Sequence, residues 1–367
     1  MPRRLSQATR PLTLPSLSAV SDFHVRPAAP SPTLLSRAPT SGRPTLLVAE
    51  LRGTGDIAIL IPFLQSALTH FDVTLLAPPN AAGLLHRFVP DVELIPCVAP
   101  WALFSGPPVQ RWPWTLLFGL LRQLRARRFT AATSIWPIAR DHMFLRLVRP
   151  RRLLGYGHGR AGWLLDDNLG GAGHVHRPAA WRHVAARLGL PPWPAQRPRL
   201  RPPAAPRRLV LHSGASQPIR VWPLPRYADL LARLRAHGWA PLVLCDPPQL
   251  AAWRALNEAS ARVVTSMDDL IDTLSSGAAF LGNDSGPGHI AALCGVPTFT
   301  LFGPQVPELF APDHPQAAWV EGLACPHKPC FDHCHFAEPF CLTGIGADQV
   351  WPRLSRWLAH LTQLPAA

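Results

Sequence analysis

Gly282-Asn283-Asp284-Ser285-Gly286-Pro287-Gly288-His289 lies between the apolar run 278–281 and the helix-like run 290–294. An apolar strand feeding an Asp-Ser-Gly-Pro turn that opens a helix directs unpaired backbone N–H groups at an anion. The turn therefore predicts a docking place for a phosphorylated ligand, although an ordinary strand-to-helix turn with a Ser or Asp cap would read the same in isolation. The residues that follow support the anion reading. Gly295-Val296-Pro297 stops the helix, and the β-branched and aromatic run 298–302 resumes a strand before Gly303-Pro304. This is a strand, helix, strand unit of the length a parallel crossover needs.

A chain of 367 residues has room for two domains, each with its own core. Charged residues make up 16% and hydrophobic ones 47%, so most of the chain is expected to be globular. The 44 prolines crowd residues 1–44 and 191–206, where neither helical nor strand periodicity is found. The first segment lacks the apolar core of a secretory signal. Its Arg/Ser-rich, acid-poor makeup is somewhat like a transit peptide, but we expect residues 1–44 to be a disordered tail or an over-long gene reading. Residues 191–207 are expected to be a stiff proline-rich linker. No apolar stretch is long enough to span a membrane. The net charge of +14 favours anionic partners, whether nucleic acid, an anionic membrane surface or phosphorylated substrates. No zinc-finger spacing, aromatic RNP pattern or basic zipper accompanies it, so nucleic acid is not an expected partner.

Along the first half, an apolar strand over 45–50 runs into Leu51-Arg52-Gly53-Thr54-Gly55-Asp56 and then a helical pattern over 57–71. Strand, glycine turn and helix again suit an anion, and Asp56 stands at the helix start. Further strands are expected at 72–77 and 131–136, and helices at 112–128, 140–148 and 181–188. The second half repeats the alternation, with strands at 208–212, 241–246, 262–265 and 278–283 and helices at 227–237, 249–260 and 268–275. Two such runs joined by a linker predict an α/β protein of two facing doubly wound Rossmann-like domains, 45–190 and 208–345. A last helix within 346–367 is expected to fold back on the first domain. Ligands of such sheets sit beyond the carboxyl ends of the strands. Asp56, residues 213–216 and residues 284–289 should then converge on one interdomain cleft.

Three signals occur in order: Arg52-Gly53-Thr54-Gly55-Asp56, then His212-Ser213-Gly214-Ala215-Ser216 with Arg220-Val221-Trp222-Pro223, then Asn283 to His289. Together they resemble glycosyltransferase family 9, the bacterial heptosyltransferase family, over residues 45 to about 360. The resemblance implies the GT-B fold and an inverting, metal-independent transfer, usually of heptose from ADP-heptose to the lipopolysaccharide core. It places the enzyme in the cytoplasm, peripheral to the inner face of the bacterial inner membrane, with a lipid-linked or polysaccharide acceptor.

Carried over to this sequence, Asp56 matches the catalytic base, with a helix cap as its plainer alternative. Arg52, Gly53, Thr54 and Gly55 fall on the acceptor side. Arg220, Ser213, Ser216, Ser285, Gly286, Gly288 and His289 fall on the donor phosphates, and Asp284 on the sugar hydroxyls. Arg220 is equally readable as a surface arginine, and His289 as a packing or capping residue. Two departures stand out. Glu50 replaces a basic residue that the family commonly carries before the base, and Cys245-Asp246-Pro247-Pro248-Gln249 replaces a Gly-Gly turn and a ribose-binding Glu. A transferase using another nucleotide sugar, an epimerase or hydrolase of the same architecture, and a non-catalytic nucleotide-sugar-binding protein are the alternatives.

Cys325, Cys330, Cys334 and Cys341, interleaved with His327, His333 and His335, concentrate four of the 7 cysteines in residues 325–341. Such residues can ligate zinc or iron structurally, or pack as reduced thiols. No cofactor is expected for catalysis.

Overall fold

The computed structural model describes residues 42–171, 175–195 and 197–363. The expected tail lies outside the described residues apart from its end. The first sheet holds β1 (Thr45–Ala49), β2 (Asp72–Ala77), β3 (Glu93–Pro96), β4 (Ala131–Ser134), β5 (Arg152–Gly155) and β6 (Asp167–Asn168), in the order β3-β2-β1-β4-β5-β6. All its pairings are parallel, with Leu47 opposite Thr74 on one side of β1 and Ala132 on the other. A parallel strand covered on both faces needs apolar residues at successive positions, which Leu46, Leu47 and Val48 supply. The helices of this half are α1 (Thr54–Ala67), α2 (Ala82–Phe88), α3 (Trp114–Ala126), α4 (Ala139–Val148) and α5 (Arg177–Arg187).

The second sheet holds β7 (Arg208–His212), β8 (Ala240–Leu244), β9 (Ala279–Asn283), β10 (Thr298–Phe302) and β11 (Ala318–Glu321), in the order β11-β10-β9-β7-β8 and again parallel. Its helices are α6 (Leu224–Ala236), α7 (Leu250–Ala255), α8 (Met267–Ser275), α9 (Gly286–Leu293), α10 (Pro307–Phe310), α11 (Phe340–Thr343) and α12 (Ala347–Gln363). Among the described residues no helix is long and apolar enough to cross a membrane.

Helix α1 is buried nearly all round and joins the two halves. Its Ile57, Leu60, Ile61 and Leu64 belong to one apolar cluster with Ile290, Ala291 and Leu293 of α9. The contact tightens at the helix starts, where a Cβ built on Gly55 would lie 3.1 Å from Gly286 Cα and one on Gly286 3.2 Å from Gly55 N. A side chain at either position would pry the two turns apart.

Several expectations are corrected. The 262–265 strand reduces to a single bridge between Arg262 and Leu244, because Arg262 turns to a bidentate pair with Asp269 and Thr265 N donates to the same carboxylate. The 249–260 helix ends early, with Asn257 in the left-handed region at φ 57°. Helix α12 stays on the second sheet, burying Val350, Leu354 and Leu358 in its core, with Trp357 against Phe299, rather than folding back on the first. The proline-rich segment runs extended along both halves: Ser66 donates to Pro191 O, Leu200 N to Cys294 O and Ala204 N to Ser276 O.

Candidate active site

Asn283, fully buried at the end of β9, fixes the Asp-Ser-Gly turn. Its Oδ1 accepts from Trp222 N at 3.1 Å and Tyr227 OH at 2.8 Å, while Nδ2 donates to Ser213 O at 2.8 Å. One amide thereby ties together the ends of two strands and the segment carrying Arg220. Ser285 has the extended backbone of an N-cap and Gly286 opens α9. Proline at the second helical position removes one N–H, and Gly288 N donates to Ser285 O at 3.1 Å. The expected phosphate donor at Gly288 is thus engaged in the turn itself, which leaves Gly286 N–H and the helix dipole as the terminus offers them.

Arg220 enters this terminus from the β7 side. Its Nη1 lies 3.3 Å from Asp284 Oδ2, and its Nε and Nη2 each lie 2.6 Å from the two oxygens of Asp332. Burial works against its charge, but Asp284 and Asp332 outweigh it and hold the guanidinium protonated. Asp284 is 4% exposed. Burial pushes its carboxyl up to about 6, against the pull of Arg220. His289 is buried, faces Gly55, and is pushed down to about 3 by burial, His176 and Arg220, so it is neutral at physiological pH.

Asp56 stands across the contact, at the third position of α1. Its Oδ2 accepts from Gly53 N at 3.2 Å, so it does cap its helix, and one carboxylate oxygen suffices for that. Burial raises its pKa, while Arg177, Arg52 and Arg220 draw it down. Arg52 from the same turn, and Arg177 and Arg220 from distant parts of the chain, therefore act on one half-buried carboxylate. Arg52 pairs with buried Asp141 at 2.6 Å, an oxygen neighbour of which accepts from Trp101 Nε1 at 2.8 Å.

The departure at Glu50 has a structural counterpart. Glu50 is 0% exposed and accepts from Trp136 Nε1 at 3.0 Å on both oxygens. Burial first, then Asp56 and Asp141, push it up to about 8 against Arg52 and Trp136, so it is chiefly a neutral acid at pH 7. Arg177, at the first turn of α5, lies 4.1 Å from the Trp136 ring and 5.4 Å from the Phe310 ring. It is 4% exposed, and among the described residues its Nε and Nη1 have no hydrogen-bond partner. Sequence reasoning missed Arg177, Trp136 and Asp332, since each reaches the site from far along the chain.

Other predicted residues fare differently. The Ser213 hydroxyl donates to Gln249 Oε1 at 2.9 Å and accepts from Trp253 Nε1 at 2.9 Å inside the second core, so it does not face a ligand. Ser216 is exposed on the lip after β7. Thr54 accepts from Asn80 Nδ2 at 3.1 Å, and Gly53 and Gly55 serve the cap and the glycine contact. Cys325, Cys330, Cys334 and Cys341 line one depression with His327 and His335. Among the described residues, however, no three His, Cys, Asp or Glu side chains are grouped as a metal would hold them.

Residues 194–340 match glycosyltransferase family 9 (heptosyltransferase). A comparison with curated proteins gives no match. Among solved structures, E. coli ADP-heptose lipopolysaccharide heptosyltransferase II aligns with TM-score 0.62 and 19% identity, over 86% of this chain and 99% of that one. E. coli heptosyltransferase WaaC with ADP aligns with TM-score 0.64 and 16% identity, over 85% and 99%. TibC, an iron-containing dodecameric glycosyltransferase from enterotoxigenic E. coli, gives TM-score 0.53 and 13% identity over 88% and 81%. The two parallel sheets are those of the GT-B fold. The family match lies on the half that carries Arg220 and the Asp284 turn, so residues 194–340 are similar to glycosyltransferase family 9, and the chain as a whole has the fold of these heptosyltransferases.

Proposed function

We propose that the protein transfers heptose from ADP-heptose to a lipid-linked or polysaccharide acceptor of the lipopolysaccharide type, with inversion and without a catalytic metal. It works in the cytoplasm, peripheral to the inner face of the inner membrane. The observation that carries this reading is the meeting of Asp56 with the start of α9 and Arg220 across the Gly55–Gly286 contact. Asp56 takes the proton of the acceptor hydroxyl as its oxygen bonds to the anomeric carbon. The bond from that carbon to the diphosphate breaks, and the leaving group departs with the electron pair. Arg220 and Gly286 N–H meet its growing charge, and Asp284 holds sugar hydroxyls. The roles of Arg52, Ser216, Ser285 and His289 are to shape the two sides of this gap.

The donor assignment draws on neighbours solved with ADP, with ADP-2-deoxy-2-fluoro heptose and with ADP-D-beta-D-heptose. A ligand at a hundred times its dissociation constant adds about 2.7 kcal/mol to stability. ADP-heptose is therefore expected to raise Tm in a panel of nucleotide sugars, and a shift by another member alone overturns the heptose assignment. That second reading has its own observation. Asp246 packs against Gly214 at the rim, in place of the Gly-Gly turn and Glu of the family, which gives the nucleoside a different neighbour.

The cysteine segment is proposed as a structural site for iron or zinc. Four thiols share one depression, and TibC is described as iron-containing. No step of the transfer runs through this site. Metal analysis of the purified protein is expected to find close to one equivalent per chain. Less than about a tenth of an equivalent assigns the thiols to packing.

A further inference from the structure

Residues 94–140 contain six arginines, Arg111, Arg122, Arg125, Arg127, Arg128 and Arg140, and no aspartate or glutamate. Within this acid-free stretch α3 buries Leu117, Leu121 and Leu124 and turns other apolar side chains outward. Phe118 is 63% exposed and Trp114 41%, their rings 6.0 Å apart. Neighbouring α4 exposes Met143 at 51% and Leu147 at 44%.

The two helices lie side by side. At one end the Arg140 guanidinium lies 5.8 Å from the Trp112 ring, and at the other Arg125 Nε donates to the Leu147 carbonyl. Arg125 thus marks the flank of α3 that adjoins α4. Trp114, Phe118, Arg122 and Arg125 are spaced by three or four residues along that flank, so they share it. The α3 flank thus carries Trp114 and Phe118 with Arg122 and Arg125, beside an α4 that exposes Met143 and Leu147.

Large exposed side chains grouped this way mark an interaction surface. Charge decides the occupant. The stretch 94–140 holds arginines and no acid, and Asp141 of α4 is buried against Arg52, so this side repels basic partners. An anionic bilayer is the partner that neutralises guanidinium groups and also accepts tryptophan, phenylalanine and leucine at its interface. We propose that the α3–α4 face docks on an anionic lipid bilayer, with Trp114, Phe118, Met143 and Leu147 at acyl depth and Arg122 and Arg125 among the headgroups. Helix α4 also carries Asp141, which holds Arg52 beside Asp56. Docking through this helix therefore sets the Asp56 side of the gap next to the bilayer, where a lipid-linked acceptor resides. Exposure and charge carry the surface itself, independently of the donor assignment.

The test is sedimentation of the full chain with phosphatidylcholine vesicles, plain or containing about 30% phosphatidylglycerol. Wild type is expected to sediment with the anionic vesicles, to stay in solution with the plain ones, and to be released by salt. Phe118→Ser with Met143→Ser, and separately Arg122→Glu, are expected to lower the partition coefficient about tenfold or more. An unchanged thermal shift with the nucleotide-sugar donor shows that these variants fold, and it separates failure of this surface from failure of the cleft. Wild type remaining in solution with anionic vesicles overturns the proposal, as do variants that bind like wild type. If the apolar variant instead turns an oligomer into a monomer by light scattering while wild type ignores vesicles, the face joins copies of this chain and the proposal fails.

Discussion

Asp56→Asn is expected to lower kcat by about 10²–10⁴-fold while donor binding persists. The substitution is chosen for what it keeps. An asparagine Oδ1 still accepts from Gly53 N–H, so the start of α1 and its packing against α9 remain. Alanine would add the loss of the cap, about 1 kcal/mol, and mix folding with chemistry. What asparagine removes is the capacity to hold a proton taken from the acceptor. Burial raises the Asp56 pKa, and Arg177 leads the charges that oppose it. The base works only when ionised, so wild-type kcat/KM is expected to fall on the acid side at a pH above the ordinary aspartate range. Asp56→Asn should leave a low, flat profile over that limb. Single-turnover rates and donor titration on the same variant are the measurements. Turnover close to wild type assigns Asp56 to capping alone, and a sensor protein would show no turnover to lose.

Arg177 belongs to the same electrostatic balance, and it shows where sequence reading ended. Asp56, Asp284 and the glycines of both turns were legible because each sits in a local strand–turn–helix pattern whose chemistry is contained in a few neighbouring residues. Arg177 was not, since its neighbours Trp136 and Phe310 come from opposite halves of the chain. The basic residue expected at position 50 is replaced by a buried glutamic acid, yet positive charge still reaches Asp56, through α5. A one-dimensional motif records the loss and misses the replacement. Ser213 erred in the other direction: its place after β7 matched, but Gln249 and Trp253 engage its hydroxyl. The parallel sheets were legible because buried strands require apolar runs. The two-residue β6 carries too few residues to declare itself.

Arg220→Met is expected to weaken donor binding by about 10–150-fold, the equivalent of the 1.5–3 kcal/mol that a charge-assisted hydrogen bond contributes. The substitution also leaves two carboxylates without their cation, and breaking a buried pair on one side costs about 3–5 kcal/mol. Asp284 softens this cost, because a carboxyl already pushed to about 6 takes up a proton more readily once Arg220 is gone. The companion variant is Asp332→Asn. In the structure Asp332 occupies Arg220 with the bidentate geometry a phosphate would use, and it stands in the left-handed region at φ 72° beside Phe331 at φ 48°. A donor diphosphate must displace it. Asp332→Asn is therefore expected to tighten ADP binding by about three- to tenfold, the scale of one net hydrogen bond of about 1 kcal/mol, since Asp284 still pairs with Arg220. In the double variant Arg220→Met/Asp332→Asn that gain should vanish, because the competitor acts only through Arg220. Calorimetric titration of ADP on the three variants closes the cycle. Weaker binding in Asp332→Asn would mean that the carboxylate orients Arg220 for the donor, and the competition between Asp332 and the diphosphate would have to be abandoned.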